Sequence, residues 1–234
     1  DILIFVEPDI RVDSASLLKF QGYFTDQTIG AVGATLHTQG VTDARYWSLS
    51  ERIKMEESRT GSTTGCDGGV WAIRRVLFPC VTDGQCNTMR SSMNPLFMGY
   101  RVVSAPDIHA FQPSIGTGLD AFKRRTAFAR KAWCTHMATR RLRKELSAID
   151  QWKYASGKTI PWFSALWASL SVAFAFPLVG SNAGWISLAT IILIGFGLGR
   201  GLMQPTRSLG LSIVAMQIGV LHGMTRWPFR DRHV

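Results

Sequence analysis

The chain begins with an apolar run, Ile2 to Val6, that contains no polar residue. A run this short, rich in β-branched and aromatic side chains, is typical of a strand buried on both faces in a parallel sheet. Pro8 ends the strand, because proline has no backbone N–H to donate to a neighbouring strand. The sequence therefore predicts an α/β fold in which Glu7-Pro8-Asp9 lies at the carboxyl edge of the sheet.

Glu7 and Asp9 stand on either side of this proline. Open α/β sheets bind their ligands outside the carboxyl ends of their strands. Two carboxylates placed there can hold Mg²⁺ or Mn²⁺ together with the diphosphate of a substrate. The sequence thus predicts a metal site at Glu7 and Asp9, and a pair of solvated acids at a strand end is the alternative.

The length and the charge of the chain limit its organisation and its partners. A chain of 234 residues suffices for one sizeable domain and an additional element. Its first residue is not Met and already belongs to the predicted strand, so we expect a piece of a longer protein. The net charge of +10 favours phosphate, nucleic acid or an anionic membrane surface as a partner. The cysteines show neither a CxxC pair nor a metal-ligand spacing, and we predict free thiols: Cys66, Cys80, Cys86 and Cys134.

A polar, glycine-rich segment at 61–69 leads into a predicted strand that begins at Val70. Glycines allow a backbone to approach a ligand closely. Asp67 lies in the middle of this segment, and we predict that it contributes to binding the substrate that carries the diphosphate. The segment matches neither a P-loop nor a dinucleotide-binding fingerprint. His109, farther along the chain, is predicted to be an ordinary polar residue with no partner.

Residues 119–146 show a helical pattern in which many Lys and Arg residues alternate with aromatic ones. Such a helix suits an anionic membrane interface. Its arginines, Arg125 and Arg130 among them, can also hold a diphosphate through paired hydrogen bonds. A basic face that only meets solvent is the remaining alternative.

Three apolar blocks follow, at about 160–179, 183–199 and 208–224. The first has about the length that a helix needs to cross a hydrocarbon core. Trp162, Trp185 and Trp227 lie near the block ends, as in an interfacial belt. We therefore predict a multi-pass protein of an inner or plasma membrane, with the basic segment and the α/β part on the cytoplasmic side. A buried soluble bundle is the alternative.

Three stretches carry a likeness to a known family: residues 5–9, residues 46–78 with Gly68-Gly-Val-Trp-Ala-Ile-Arg-Arg75, and Gly99-Tyr-Arg-Val-Val-Ser-Ala-Pro106. Their order resembles that of the processive-type membrane glycosyltransferases of family 2, over essentially the whole chain. The resemblance implies a partial GT-A (nucleotide-diphospho-sugar transferase) domain at 1–118. It also implies a basic interfacial region at 119–159 and a C-terminal transmembrane helix bundle at 160–226.

The resemblance further implies an activity. Such enzymes move a sugar from a nucleotide-sugar, here expected to be a UDP-sugar, to a growing polysaccharide or lipid-linked glycan. The transfer is inverting and uses Mg²⁺ or Mn²⁺, for which Glu7 and Asp9 occupy the positions of the family's D-x-D motif. The membrane is an expected partner, and nucleic acid is not.

The chain departs from the family at the catalytic base. Relatives resembling this chain carry an acidic pair about a dozen residues before the glycine that corresponds to Gly99, and Asn87-Thr88 stands there. Asp83 is the nearest acid, and we predict that it serves as the base. The family's Q-x-x-R-W motif is also absent. A catalytically degenerate homologue that acts as a membrane scaffold therefore remains an alternative, as does a membrane protein whose basic segment binds anions.

Overall fold

The computed structural model describes the backbone of residues 1–38, 44–66, 68–112, 119–163, 167, 170 and 209–226. The strands are β1 (Ile2–Val6), β2 (Arg11–Val12), β3 (Ile29–Thr38), β4 (Val70–Arg74) and β5 (Arg101–Gln112). The helices are α1 (Ser14–Tyr23), α2 (Ala44–Arg59), α3 (Asn87–Phe97), α4 (Leu119–Ala138), α5 (Arg140–Arg143), α6 (Ala148–Tyr154), α7 (Ile160–Trp162) and α8 (Leu209–Arg226). A 3₁₀ turn (Arg75–Leu77) follows β4, and a π-helical turn (Ala155–Thr159) joins α6 to α7.

The strands form one mixed sheet in the order β1-β4-β3-β5-β2. β3 and β5 are parallel, and the other neighbouring pairs are antiparallel. Because β1 and β3 both run antiparallel to β4, the strands β1, β3 and β5 point in the same direction. Their carboxyl ends therefore meet at one edge of the sheet, which we call the carboxyl edge. Glu7 follows β1 there, as predicted, and His37 and His109 lie near the ends of β3 and β5.

The environment predicted for β1 is wrong in two respects. β1 pairs antiparallel with β4, and it is the terminal strand of the described sheet rather than a central parallel one. Its apolar residues also differ in burial: Ile4 is 42% exposed and Val6 45% exposed. Leu3 and Phe5 pack against a core cluster instead. The alternation of the strand thus decides which residues are buried, although the sequence itself does not alternate.

Two hydrophobic clusters cover the two faces of the sheet. On one side, which we call the α1 face, Phe20 and Phe24 pack on Val32 and Leu36 of β3. On the other, the α3 face, the cluster includes these side chains: Ala31, Trp71, Ile73, Leu96 and Val102. Residues of β3 alternate between the two faces, since neighbouring side chains of a strand point in opposite directions.

In the sequence, Tyr46, Leu49 and Ile53 recur at helical spacing, which predicts a helix over 43–58 with Glu51 on the opposite face. The helix is confirmed as α2, Ala44–Arg59. One of its residues differs from the expectation, because Glu51 was predicted to face away from the core and is only 5% exposed. Its carboxylate accepts a hydrogen bond from Lys54 Nζ at 2.7 Å. A charged carboxylate can be buried when a cation pairs with it, because the pairing offsets the loss of hydration. Lys54 lies beside Gly33, Ala34 and Leu36 of β3.

The basic segment forms α4 and α5, and α8 packs closely along α4. A Cβ added to Gly219 would lie 2.4 Å from the backbone oxygen of Thr126, and one added to Gly223 would lie 2.9 Å from Trp133. Two glycines one turn apart thus let the helix backbones approach each other. Val220, between them, is buried.

Within the described residues, no helix combines the length and the apolar character that a membrane crossing requires. The predicted span 208–224 corresponds to α8, so this part of the predicted transmembrane bundle is not supported. One face of α8 packs against α4, and Gln217 on α8 donates to the Trp162 oxygen at 2.6 Å. The predicted spans 160–179 and 183–199 fall almost entirely outside the described residues.

A buried lysine ties the basic region to the α/β domain. Lys153 of α6 is 5% exposed, and its ammonium donates to the backbone oxygens of Glu57 and Ser62 at 3.2 and 3.0 Å. The helix α4 contacts this region through His136. Its ring stacks on the ring of Tyr154, and its Nδ1 is hydrogen-bonded to the Tyr154 hydroxyl at 2.9 Å. Burial, followed by the charges of Arg143 and Arg140, lowers the pKa of His136 to about 4. These contacts connect α4 to α6, and α6 to the α/β domain.

Candidate functional site

The acidic turn after β1 is held by backbone hydrogen bonds. Glu7 N–H donates to the Gly69 oxygen at 2.9 Å, and Ile10 N–H donates to the Glu7 oxygen at 3.1 Å. Both Glu7 and Asp9 have exposed side chains. Two carboxylates are thus presented at the carboxyl edge on a turn whose backbone is fixed.

The glycine-rich loop lies directly under one of these carboxylates. Gly68 has a φ of +93°, and a Cβ added there would lie 2.6 Å from Glu7 Oε1. Only glycine fits this position without strain, since L side chains rarely adopt such a φ. The loop therefore allows a close approach, as its composition predicts, and the neighbour in contact is Glu7. Asp67, the predicted donor-binding residue, lies outside the described residues.

The start of α3 is bound to α4. Cys86 precedes the helix, and its N–H donates to Thr135 Oγ1 of α4 at 2.8 Å. Burial raises the pKa of the Cys86 thiol, and the negative charge of Glu7 raises it further. A hydrogen bond from Met89 N–H and the positive charges of Lys158 and Lys131 lower this pKa. Three charged groups thus lie within electrostatic reach of one buried thiol.

Lys131 and Lys158 were not singled out from the sequence. Both stand in a segment with many cations, and no spacing distinguishes them. Lys131 lies one helical turn before Thr135, whose hydroxyl donates to the Lys131 backbone oxygen at 2.9 Å and accepts from Cys86 N–H. Only the structure therefore shows that Lys131 is on the side of α4 that faces α3. The corner formed by Glu7, Gly68, Cys86 and these two lysines is what we call the donor corner.

Asn87 is the first residue of α3 and adjoins the donor corner. The resemblance places a carboxylate at this position, and the amide oxygen here accepts a hydrogen bond from Ser91 Oγ at 3.0 Å. Asp83, the predicted base, has an exposed side chain in the turn before α3. Gln85 closes that turn through its N–H to the Thr82 oxygen at 3.3 Å.

The two predicted diphosphate-binding arginines lie on α4. Arg125 is partly buried. Arg130 lies on the side of α4 that meets α8, since a Cβ on Gly223 would lie 3.2 Å from the Arg130 oxygen. It borders a groove between the two helices with five other residues: Phe122, Lys123, Thr126, Ala127 and His222. Lys131, in contrast, shares the helix side of Thr135, which faces α3.

Two histidines meet on the α3 face at the carboxyl edge. His37 Nε2 and His109 Nδ1 are 3.0 Å apart, a hydrogen-bonding distance, and both side chains are exposed. The His37 ring also stacks on Phe111, with ring centroids 5.4 Å apart. The prediction that His109 has no partner is therefore wrong. The pairing depends on strand register, which no local sequence pattern shows.

The described residues contain no cluster of three or more His, Cys, Asp or Glu side chains with metal-binding geometry. Glu7 and Asp9 therefore present two carboxylates without a third such ligand among the described residues. Both offer hard oxygen ligands of the kind that Mg²⁺ and Mn²⁺ prefer.

No family model matches the sequence, and no curated protein matches it. Among solved structures, the chain is similar to the mannosyltransferase PcManGT from Pyrobaculum calidifontis, determined in complex with GDP-Man and Mn²⁺. The TM-score is 0.60 and the identity 17%, over 98% of this chain and 63% of that one. The chain thus spans less than two thirds of the length of the structure that it matches.

A likeness at this identity shows the fold. The described α/β domain therefore has a glycosyltransferase fold, as the sequence resemblance implied.

Proposed function

We propose that the chain belongs to a membrane-bound glycosyltransferase that moves a sugar from a nucleotide-sugar to a growing polysaccharide or lipid-linked glycan. One observation carries the proposal: on this fold, Glu7 lies against the glycine loop, and the charges of Glu7, Lys131 and Lys158 all act on the Cys86 thiol. A site with both signs of charge suits a diphosphate held together with a cation.

The acid pair fits a divalent cation. Glu7 and Asp9 are exposed at the carboxyl edge, and glycine at position 68 leaves room for the Glu7 carboxylate above the loop. When bound, Mg²⁺ or Mn²⁺ would stabilise the negative charge that develops on the leaving diphosphate. The similar mannosyltransferase, in complex with GDP-Man and Mn²⁺, is consistent with this assignment.

The cations of the basic region would hold the donor. The charges of Lys131 and Lys158 act on the Cys86 thiol, as does the charge of Glu7. Arg125 and Arg130 on α4, and Asp67 in the glycine loop, stay predictions for donor binding. The donor is a nucleoside diphosphate sugar; the sequence resemblance favours UDP, and the similar structure is a complex with GDP-Man.

The membrane assignment rests on the apolar blocks of the sequence and on the basic region. An inner or plasma membrane with the catalytic domain on the cytoplasmic side agrees with the position of the basic segment before the blocks. Exposed Ile149 and Trp152 on α6, next to the cations of α5, favour an interfacial position for this region.

The test is sugar transfer into a membrane fraction. We expect radiolabelled mannose from GDP-mannose, or labelled glucose from UDP-glucose, to enter a lipid-extractable or polymeric product when Mn²⁺ is present. An Asp9→Ala variant should lose this incorporation, and Asp13→Ala should keep it. Asp13 is a matched control, because it is exposed and its side chain makes no capping hydrogen bond.

A catalytically degenerate scaffold is the second candidate, and Asn87 favours it, because an amide stands where relatives have a carboxylate. This candidate predicts that the folded protein transfers no sugar with either donor. A third candidate, a membrane protein whose basic segment only binds anions, predicts binding to anionic vesicles that salt weakens and that Asp9→Ala leaves unchanged.

A further inference from the structure

The transfer proposed above needs a proton acceptor for the attacking hydroxyl, and the position used by relatives is Asn87. A neutral amide side chain cannot take up a proton at neutral pH. The described carboxyl edge contains another titratable group that the sequence did not reveal, the hydrogen-bonded pair His37–His109.

A wide bulge in β5 creates this pair. Ala34 of β3 is in register with Ala105, but the next residue, Thr35, is in register with His109, so residues 106–108 are looped out of the ladder. Two side chains of α1 hold the bulge in place. Tyr23 donates its hydroxyl hydrogen to the Asp107 carboxylate, and Lys19 Nζ donates to the Asp107 backbone oxygen at 2.8 Å. Bulges re-aim side chains and are frequent next to active sites.

The pair lies on the same face of the sheet as the donor corner. Leu3 and Phe5 of β1 pack on the α3 face, so Glu7 continues that alternation. Ala31 of β3 belongs to the same cluster, and His37, six residues later, points to the same side.

In β5 the residues on either side of His109, Ile108 and Ala110, are buried on the α1 face, so His109 also points to the α3 face. The strand order puts β3, with His37, two positions from β1 and β5, with His109, three positions from it, roughly 10 and 14 Å away. This separation is on the scale of a sugar and its diphosphate, so one bound substrate can extend from Glu7 to the histidines.

The hydrogen bond between the rings has a chemical consequence. Whichever ring donates, the two remaining nitrogens, His37 Nδ1 and His109 Nε2, consist of one N–H and one lone pair. The pair therefore always offers one proton acceptor and one donor to a neighbouring group. A proton taken up by one ring can be shared with the other through the 3.0 Å contact.

We propose that the His37–His109 pair is the general base of this site. This inference rests on the proposed function. The acceptor hydroxyl loses its proton to the pair while its oxygen forms a bond to the anomeric carbon of the donor sugar. The bond from that carbon to the diphosphate oxygen breaks, and the nucleoside diphosphate leaves with the electron pair.

The electrostatic surroundings agree with a neutral, proton-accepting His37. Partial burial, followed by the charge of His109, lowers the pKa of His37. Beside His109, the charged side chains near this end of β3 among the described residues are Arg11 on β2, opposite Phe111 of β5, and Lys54 on α2, which pairs with Glu51 and lines a cavity with Leu36. A lowered pKa keeps the ring neutral at pH 7, so activity should fall only as the pH drops below the ordinary range of histidine.

The experiment compares nucleotide release from GDP-mannose and UDP-glucose, with membranes and with water as acceptors, in full-length chains. The variants are His37→Ala, His109→Ala, Asp83→Asn and the matched control His222→Ala on α8, which is not part of the sheet. GDP and UDP affinities are measured in parallel. We expect the two dyad variants to lose about 10²–10⁴-fold in turnover, to keep nucleotide affinity within about twofold, and to recover turnover when imidazole is added.

Other outcomes separate this inference from the proposed function. Retained turnover in His37→Ala, or a loss confined to Asp83→Asn, would overturn the dyad assignment. Loss of turnover together with nucleotide affinity and without imidazole rescue would show a structural role and would also overturn it. A parent protein that binds no nucleotide, or that binds it and releases none from either donor, refutes the proposed function, whereas a parent with turnover that His37→Ala and His109→Ala leave unchanged refutes the base assignment alone.

Discussion

The contact between Gly68 and Glu7 allows the acid pair to be displaced without removing a carboxylate. Alanine at Gly68 has two consequences. The backbone, at a φ of +93°, becomes strained for an L residue, and the new Cβ comes 2.6 Å from Glu7 Oε1. Gly99 provides the matched control, because its φ is +79° and nothing lies within 4 Å of its added Cβ.

The magnitudes follow from these two contributions. Strain of this kind costs about 1–2 kcal/mol of unfolding free energy, and Gly68→Ala and Gly99→Ala should share it. Only Gly68→Ala also moves the Glu7 carboxylate, which is the flexible end of a side chain and can turn away at little further cost in stability. Displacing a group that holds a metal in position lowers affinity by about 10–100-fold, which we expect in the Mn²⁺-dependent affinity for GDP or UDP.

The assay combines urea unfolding with calorimetric nucleotide titration in the presence of Mn²⁺. We expect similar unfolding free energies for the two alanine variants and a much weaker nucleotide affinity for Gly68→Ala alone. Equal nucleotide affinities in Gly68→Ala and Gly99→Ala would refute the assignment of Glu7 to the donor site.

Three further predictions concern the basic region. Gly219→Val should lower the unfolding free energy by about 1–3 kcal/mol, because the new Cβ would lie 2.4 Å from the Thr126 backbone oxygen. Gly157→Ala, with nothing within 4 Å of its added Cβ, is the control in thermal melts, and equal melting temperatures of the two variants would contradict the α4–α8 contact. Lys153→Met should cost about 2–3 kcal/mol, since two backbone oxygens lose a charged donor, whereas Lys144→Met, at an exposed lysine, should change urea unfolding little. Because the pKa of folded His136 is about 4, its contribution to stability is complete above about pH 6.5 and is lost as the pH falls towards 4, by about 1–3 kcal/mol; a His136→Gln variant should show a flatter pH dependence, and an unchanged slope would contradict the burial of this ring.

Local patterns in the sequence predicted several elements well. The periodicity of α2 and the carboxyl-edge position of Glu7-Pro8-Asp9 agree with the structure. Glycine in the loop before β4 indicated a close backbone approach, and Gly68 provides it under Glu7. These features depend on residues close together in the chain, where spacing and side-chain type are informative.

Features that depend on distant residues could not be predicted. The antiparallel pairing of β1 is determined by β4, more than sixty residues later in the chain. The His37–His109 pair requires a bulge whose position is fixed by contacts with α1. Lys131 is one cation among many in the sequence, and only the contact of Thr135 with Cys86 places its helix face towards the site.

The central claim is that Glu7-Pro8-Asp9 forms a metal-dependent donor site. Calorimetric binding of GDP and UDP, with and without Mn²⁺, to the parent chain, Asp9→Ala and Asp13→Ala tests it most directly. We expect nucleotide binding that requires Mn²⁺, that is lost in Asp9→Ala and that persists in Asp13→Ala. Binding that is independent of Mn²⁺, or equal in the two variants, would contradict it.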